Sequence, residues 1–330
     1  MIGPILTKTP LQRMDILDDA AGNRFWIKRD DLLPFSFGGN KVRIGLAFLE
    51  DCLEKGCDSM IIYGDRRSNL CRVLSALCAS VNLECLMIST DAEEGGSMPM
   101  NERMIRKLGV RILPCSKDHI ADTVDEAFRT LEEEGKKAYY IYGSRLGEGN
   151  EHTAVSAYAK ACGELLEQET LLIQDGLLNA PFQHIYTACG TGSTLSGLAA
   201  GMCEGGSDAL VTGISISSRS PERAHACVKK AVCAWYEAQG REVPQRLWDH
   251  LRLETGYNCG GYGVPDDRVQ QLIDSVFRAC SIPLDLTYTG KAMRGMLDDL
   301  ERRGVRDSDI LFLHTGGTPL YFDTLARDSE

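Results

Sequence analysis

The chain has 330 residues, 43% apolar and 25% charged, a composition that suits one or two globular domains with a sizeable core. Its 47 acidic against 36 basic residues leave a net charge of −11, and no basic run exceeds a pair, which argues against a nucleic acid or a membrane surface as partner. No apolar run approaches the ~20 residues of a bilayer span, residues 1–10 lack the apolar core of a signal peptide, and the thirteen cysteines are odd in number with no Cys-x-x-Cys pair, so the expectation is a metal-free protein of the reducing cytoplasm.

Taken in chain order, an extended stretch, Trp26-Ile27-Lys28-Arg29-Asp30-Asp31, leads to Phe37-Gly38-Gly39-Asn40-Lys41 and a helix over 42–50. From residue 59 onward, short apolar runs ending in Gly or Ser alternate with helix-period stretches, which predicts an α/β fold with parallel sheets and crossover helices. Strands are expected at 59–63, 84–89, 110–114, 138–142, 184–188, 211–215 and 310–314. A helix over 68–80 places Leu70, Val73, Leu74, Leu77 and Val81 at helical spacing, with Ser68 as its cap. Three glycines within 143–150 read as a flexible connection between two sheet-containing units.

Four segments carry chemistry. In the first, two glycines let backbone approach a ligand just before Lys41, an amine placed to form a Schiff base. In the second, Cys189, Gly190, Thr191, Gly192, Ser193 and Thr194 join a strand to a helix. Small residues there expose successive N–H groups at a helix N-terminus, a cradle for phosphate. It is neither a dinucleotide fingerprint, since Leu195 stands where the third glycine would fall, nor a P-loop, since no Gly-Lys-Ser/Thr follows. The third is Tyr288-Thr289-Gly290-Lys291. The fourth is His314-Thr315-Gly316-Gly317-Thr318-Pro319, at the carboxyl end of a predicted strand, where open α/β sheets bind ligands. Taken singly, each segment also fits an ordinary turn.

Together with Ser68-Asn69 and Gly261-Tyr262-Gly263-Val264-Pro265, these segments resemble the pyridoxal phosphate (PLP)-dependent family of D-cysteine desulfhydrases and 1-aminocyclopropane-1-carboxylate deaminases, over nearly the whole chain. The resemblance implies the two-domain tryptophan-synthase-β-like fold (fold type II), with parallel-sheet domains and flanking helices. Residues 1–43 and 150–330 would form the larger PLP-binding domain, 44–149 a smaller α/β domain, and two chains a homodimer. It makes Lys41 the Schiff-base lysine and Gly190, Thr191, Gly192, Ser193 and Thr194 the phosphate loop. Ser68 and Asn69 would face the substrate carboxylate and the cofactor's ring oxygen, Tyr262 and Tyr288 would flank a small amino-acid substrate, and Thr315 would lie near the pyridine nitrogen.

The chain departs from the family pattern at three places. Gly64-Asp65-Arg66-Arg67 replaces a glycine-rich, Gln-containing lead-in to Ser-Asn, and Leu70 replaces a polar residue. Ile44 stands where a basic residue usually contacts the phosphate, with Arg43 as the candidate substitute. Arg66 and Arg67, beside a helix N-terminus, suggest a substrate with an anionic side chain. The expected reaction is α,β-elimination giving a keto acid and ammonia. β-Replacement, racemisation and a catalytically degenerate PLP- or ligand-binding homologue stay open at this level.

Overall fold

A computed structural model describes residues 6–90, 98–261, 263–264 and 266–327. Their backbone forms two sheets. The larger is built from β1 (Leu11–Arg13), β2 (Arg24–Lys28), β7 (His184–Cys189), β8 (Leu210–Ser215), β9 (Leu251–Glu254) and β10 (Asp309–Leu313), in the order β1-β2-β10-β7-β8-β9. All its pairings are parallel except that of β1 with β2. The smaller contains β3 (Ser59–Tyr63), β4 (Glu84–Ser89), β5 (Arg111–Pro114) and β6 (Ala138–Tyr140), all parallel, in the order β5-β4-β3-β6.

The seven strands expected from the sequence are present within two residues at their ends. Three more, β1, β2 and β9, were not delimited. β1 (Leu-Gln-Arg) and β9 (Leu-Arg-Leu-Glu) are short, partly polar edge strands whose existence depends on the neighbour they pair with. β10, by contrast, is buried along its whole length between β2 and β7, as its continuous apolar run requires.

Helices cover the sheets. α1 (Asn40–Glu54) and α5 (Glu151–Gln174) pack together, and α5 lies against α6 (Ser193–Glu204). That contact is close because α6 carries Gly197 and Gly201. A Cβ on Gly197 would stand 2.5 Å from the Val155 carbonyl, and one on Gly201 would stand 2.6 Å from that of Ala159. α2 (Asn69–Ser80) starts at Ser68, whose Oγ accepts from the Cys71 N–H at 3.1 Å, the cap expected from the sequence. Also described are α3 (Met100–Lys107), α4 (Ile120–Glu133), α7 (Pro221–Glu237), α8 (Gln245–Asp249), α9 (Asp267–Cys280), α10 (Thr289–Arg303) and α11 (Thr318–Arg327).

The glycine-rich segment 143–150 is not a slack connection. Ser144 N–H donates to the Glu148 carbonyl at 2.7 Å, Gly147 N–H donates to Ser144, and Asn150 Nδ2 ties the segment back to the Tyr140 carbonyl. Its glycines serve a closed turn, with φ of +81°, +75° and +122° at Gly143, Gly147 and Gly149.

Candidate active site

The carboxyl ends of both sheets' parallel strands face one cleft of about 240 Å³. From the larger sheet come Lys41 and Asn40 beyond β2, Gly190 through Thr194 beyond β7, Arg219 beyond β8 and Thr315 beyond β10. From the smaller come Asp65, Ser68, Asn69 and Leu70 beyond β3, Thr90 beyond β4 and Tyr142 beyond β6. This is the ligand position expected of open parallel sheets, here supplied by two of them.

Backbone contact sets the cofactor-side geometry. The loop before α1 and the loop after β10 meet where Gly39 and Gly316 face each other, at φ of +99° and +93°. A Cβ on Gly39 would lie 2.8 Å from the Thr315 carbonyl, and one on Gly316 would lie 2.5 Å from Gly39 Cα. Asn40 N–H donates to Thr315 O at 3.0 Å, and Asn40 Nδ2 donates to Thr194 Oγ1 at 2.8 Å, so the start of α1 is fastened to both ligand loops. His314 shapes the third loop. It is fully buried, its Nε2 donates to the Pro283 carbonyl at 2.8 Å, and its Nδ1 accepts from Gly316 N–H at 3.1 Å.

The three interior lysines differ in what holds them. Lys28 is fastened to Glu164, Gln168 and the Thr9 carbonyl, and Lys291 donates to the Asn258 and Gly261 carbonyls at 2.7 Å each. Lys41, partly buried on the cleft wall, has no polar partner among the described residues. Burial lowers its ammonium to about 8, against a small opposing contribution from Cys189.

Four helix N-termini converge on the cleft, those of α1, α2, α6 and α10. α6 begins at Gly192 (φ +99°) without a side-chain cap, and among the described residues the N–H groups of Thr191, Gly192, Ser193 and Thr194 find no acceptor. Such donors at a helix N-terminus suit a phosphate. At α2, the N–H groups of Asn69 and Leu70 are likewise open, among the described residues, to a carboxylate. Asn69 Oδ1 accepts from Asn101 Nδ2 at 3.0 Å, which leaves the Asn69 amide hydrogens as donors toward the cleft. Tyr288 is held at the start of α10 by Asp285, a fully buried carboxylate that accepts from the N–H groups of Thr287, Tyr288 and Thr289. Burial raises the Asp285 carboxyl despite those bonds.

The structure thus brings together Lys41, Ser68, Asn69, Gly190, Thr191, Gly192, Ser193, Thr194, Tyr288 and Thr315. Tyr262 lies outside the described residues. Arg66 and Arg67 do not line the cleft. Arg66 is buried with its Nε 2.5 Å from Glu102 Oε2, and Arg67 N–H donates to Asp65 Oδ1 in a tight turn.

Arg43, expected to replace a lost phosphate contact, is also elsewhere. Its guanidinium binds Asp30 and Glu164 at 3.0 Å in a buried cluster completed by Tyr158, Thr9 and Lys28. The helix turns Arg43 away from the wall on which Lys41 stands, because residues two apart in a helix point about 200° apart, on nearly opposite faces.

The sequence reading missed Arg219, Tyr63, Tyr142 and Thr90 on the wall and Asn101 behind it. All but Asn101 sit at or just past the ends of strands it had delimited, so the strand-end rule applied to every strand would have found them.

The chain matches the profile of a family described as "Pyridoxal-phosphate dependent enzyme" over residues 2–316. It is 29% identical over 323 residues to the D-cysteine desulfhydrase of Yersinia enterocolitica, covering 95% of this chain and 92% of that one. To the D-cysteine desulfhydrase of Salmonella typhi it is 30% identical over 325 residues, covering 95% and 93%. The crystal structure of an ACC deaminase homologue superposes with a TM-score of 0.82 at 28% identity, covering 98% of this chain and 94% of that one. A hydrogen sulfide-producing enzyme from Fusobacterium nucleatum shares the fold, with a TM-score of 0.63 at 17% identity and coverages of 96% and 97%.

Proposed function

We propose, because this chain belongs to the pyridoxal-phosphate dependent enzyme family, that it is a lyase whose Lys41 carries the cofactor and which eliminates a β-substituent from a small amino acid, as its D-cysteine desulfhydrase relatives' name implies. One observation carries the assignment of Lys41: of the three interior lysines it alone stands in the cleft, with no polar partner among the described residues and its ammonium lowered to about 8. At pH 7 such an amine is neutral in about one molecule in ten, against about one in three thousand for an ordinary lysine.

When bound, pyridoxal phosphate supplies an aldehyde that takes up an amine and a ring that holds the electron pair left when Cα–H breaks. The chain's own residues do the rest. The N–H groups of 191–194 would hold the phosphate, the Asn69 amide would donate to the cofactor's ring oxygen, and Thr315 would offer the ring nitrogen a neutral hydroxyl in place of a charged partner. The substrate carboxylate lies at the α2 N-terminus, on the Ser68 hydroxyl and the open N–H groups of Asn69 and Leu70. Lys41 Nζ, freed when the substrate amine takes its place, would take the Cα proton, the β-substituent would leave with its bonding pair, and water would convert the remaining enamine to a keto acid and ammonium. Tyr288 and Tyr262 are assigned to the flanks of the substrate.

An anionic substrate side chain finds no support from Arg66, whose charge is taken up by Glu102. The decisive experiment is a screen of D- and L-amino acids bearing β-leaving groups, read by keto-acid release. Release equal to loss of the leaving group supports elimination. A substituted amino acid formed from an added thiol, or the opposite enantiomer formed without keto acid, would move the assignment to β-replacement or racemisation, and an inert yellow protein would move it to a ligand-binding homologue.

The fuller reading has two chains form a homodimer in the cytoplasm, with 44–149 as the smaller unit and 1–43 plus 150–330 as the larger. The division is supported by a smaller sheet drawn only from 59–140 and a larger one drawn from 11–28 and 184–313, although the 43/44 boundary falls inside α1. Thirteen free thiols suit a reducing compartment. Sedimentation at several concentrations tests the dimer.

A further inference from the structure

We propose that Arg219 is the cation of the phosphate subsite and sets this chain's preference for a phosphorylated cofactor, an inference that rests on the reading of the Lys41 cleft above. A phosphate carries nearly two negative charges at neutral pH, and neutral N–H groups at a helix N-terminus meet only part of that charge. The position three residues past Lys41 is Ile44, buried in the core, and Arg43 is held by Asp30 and Glu164. Lys41 is committed to the other end of the cofactor. Among the described residues lining the cleft, Arg219 is then the one cation left.

Its placement is built rather than incidental. β8 pairs with β7 in the register Cys189↔Ser215, so the chain leaving β8 runs beside the loop that leaves β7. Ser220 caps α7 directly after Arg219, and α7 packs on the loop, since a Cβ on Gly192 would meet Val228 at 3.2 Å and Ser196 Oγ donates to the Val228 carbonyl. Arg219 Nη1 donates to the Gly190 carbonyl at 2.9 Å, which spends one of five guanidinium hydrogens and leaves a fork at the loop's rim. Among the described residues no carboxylate pairs with it. The side chain is exposed, so its charge keeps its hydration in the free protein and is shared with an anion only when one enters.

The test uses apo-protein prepared from the wild type, Arg219→Met and Arg219→Lys, titrated separately with pyridoxal phosphate and with pyridoxal and followed by absorbance. In Arg219→Met, affinity for the phosphorylated form should fall about tenfold, a step of about 1.4 kcal/mol, while affinity for pyridoxal changes less than about twofold. The salt dependence of pyridoxal phosphate binding should flatten, and Arg219→Lys should recover part of the loss. An unchanged affinity for pyridoxal phosphate in Arg219→Met, or a parallel loss for both aldehydes, overturns the proposal, the second outcome marking Arg219 as a support for the Gly190 turn. Failure of the underlying reading looks different: borohydride reduction of the wild-type holoprotein would then attach the cofactor to a lysine other than Lys41, or to none.

Discussion

The two walls of the cleft are made differently. The wall from the larger sheet is largely backbone: open N–H groups at 191–194, the carbonyl of Thr315, and the glycine pair Gly39 and Gly316 with no room for a Cβ between them. The wall from the smaller sheet is largely side chain, with Tyr63, Asp65, Leu70, Thr90 and Tyr142 set on strand ends. A ligand held by backbone constrains residue type only where a side chain would intrude. One met by side chains is reshaped by single substitutions. Of the chain's departures from the family pattern, Gly64, Asp65 and Leu70 fall on the second wall, while Arg66 and Arg67 do not line the cleft; under the proposed function the first wall is the cofactor's and the second the substrate's.

The largest expected effect tests the first wall. Lys41→Ala should lower turnover by about 10²–10⁴-fold, the usual worth of a positioned general base, while the circular dichroism spectrum stays unchanged. Turnover within tenfold of wild type would mean that another amine does the chemistry.

Next comes the charged cluster beneath that wall. Arg43→Met leaves the buried Asp30 without its cation and Glu164 with Lys28 alone, and should destabilise the fold by about 3–5 kcal/mol in urea titrations. A loss below about 1 kcal/mol would show that the cluster is solvated and does not hold α1 in place.

The same cluster has a signature in pH. Burial pushes the Asp30 and Glu164 carboxyls up, but their cations and hydrogen bonds outweigh it and hold both below the usual carboxylate range. Depressed carboxyls contribute stability that is complete above their unfolded values, about 4, and lost as pH falls through the folded ones. Wild-type stability should therefore fall as the pH drops below about 5. In Arg43→Met burial acts on Asp30 with its main cation gone, its carboxyl rises, and the acid slope should flatten or reverse. Equal slopes in the two proteins would remove Arg43 as the cause.

The smallest effects belong to the second wall. Asp65→Asn and Leu70→Asn should shift KM or the choice among β-substituted substrates by about tenfold or less, about 1.4 kcal/mol, and leave pyridoxal phosphate affinity alone. A loss of cofactor affinity in either would break the division between the walls. Arg66→Ala should act through Glu102, lowering stability without discriminating between anionic and neutral substrates.

Local pattern was enough for much of this molecule. The apolar runs of β3, β4, β7, β8 and β10, the Ser68 cap and the glycine-rich loop beyond β7 are written in neighbouring residues, because burial on both faces of a parallel strand and the needs of a helix start act over a few positions. The family resemblance of the motifs carried Lys41, Asn69 and Thr315 to positions that the fold gathers at one cleft. What only the tertiary structure decided is which charged groups reach that cleft. Arg43, Arg66 and Arg219 look alike in sequence. Arg43 meets Asp30 and Glu164 from a distant helix, Arg66 meets Glu102 from α3, and Arg219 arrives beside Gly190 because β8 pairs with β7. A long cation goes to the acceptor that packing brings within reach, a carboxylate for Arg43 and Arg66 and a backbone carbonyl for Arg219, and with sequence separations of 121, 36 and 29 residues no local pattern records that choice.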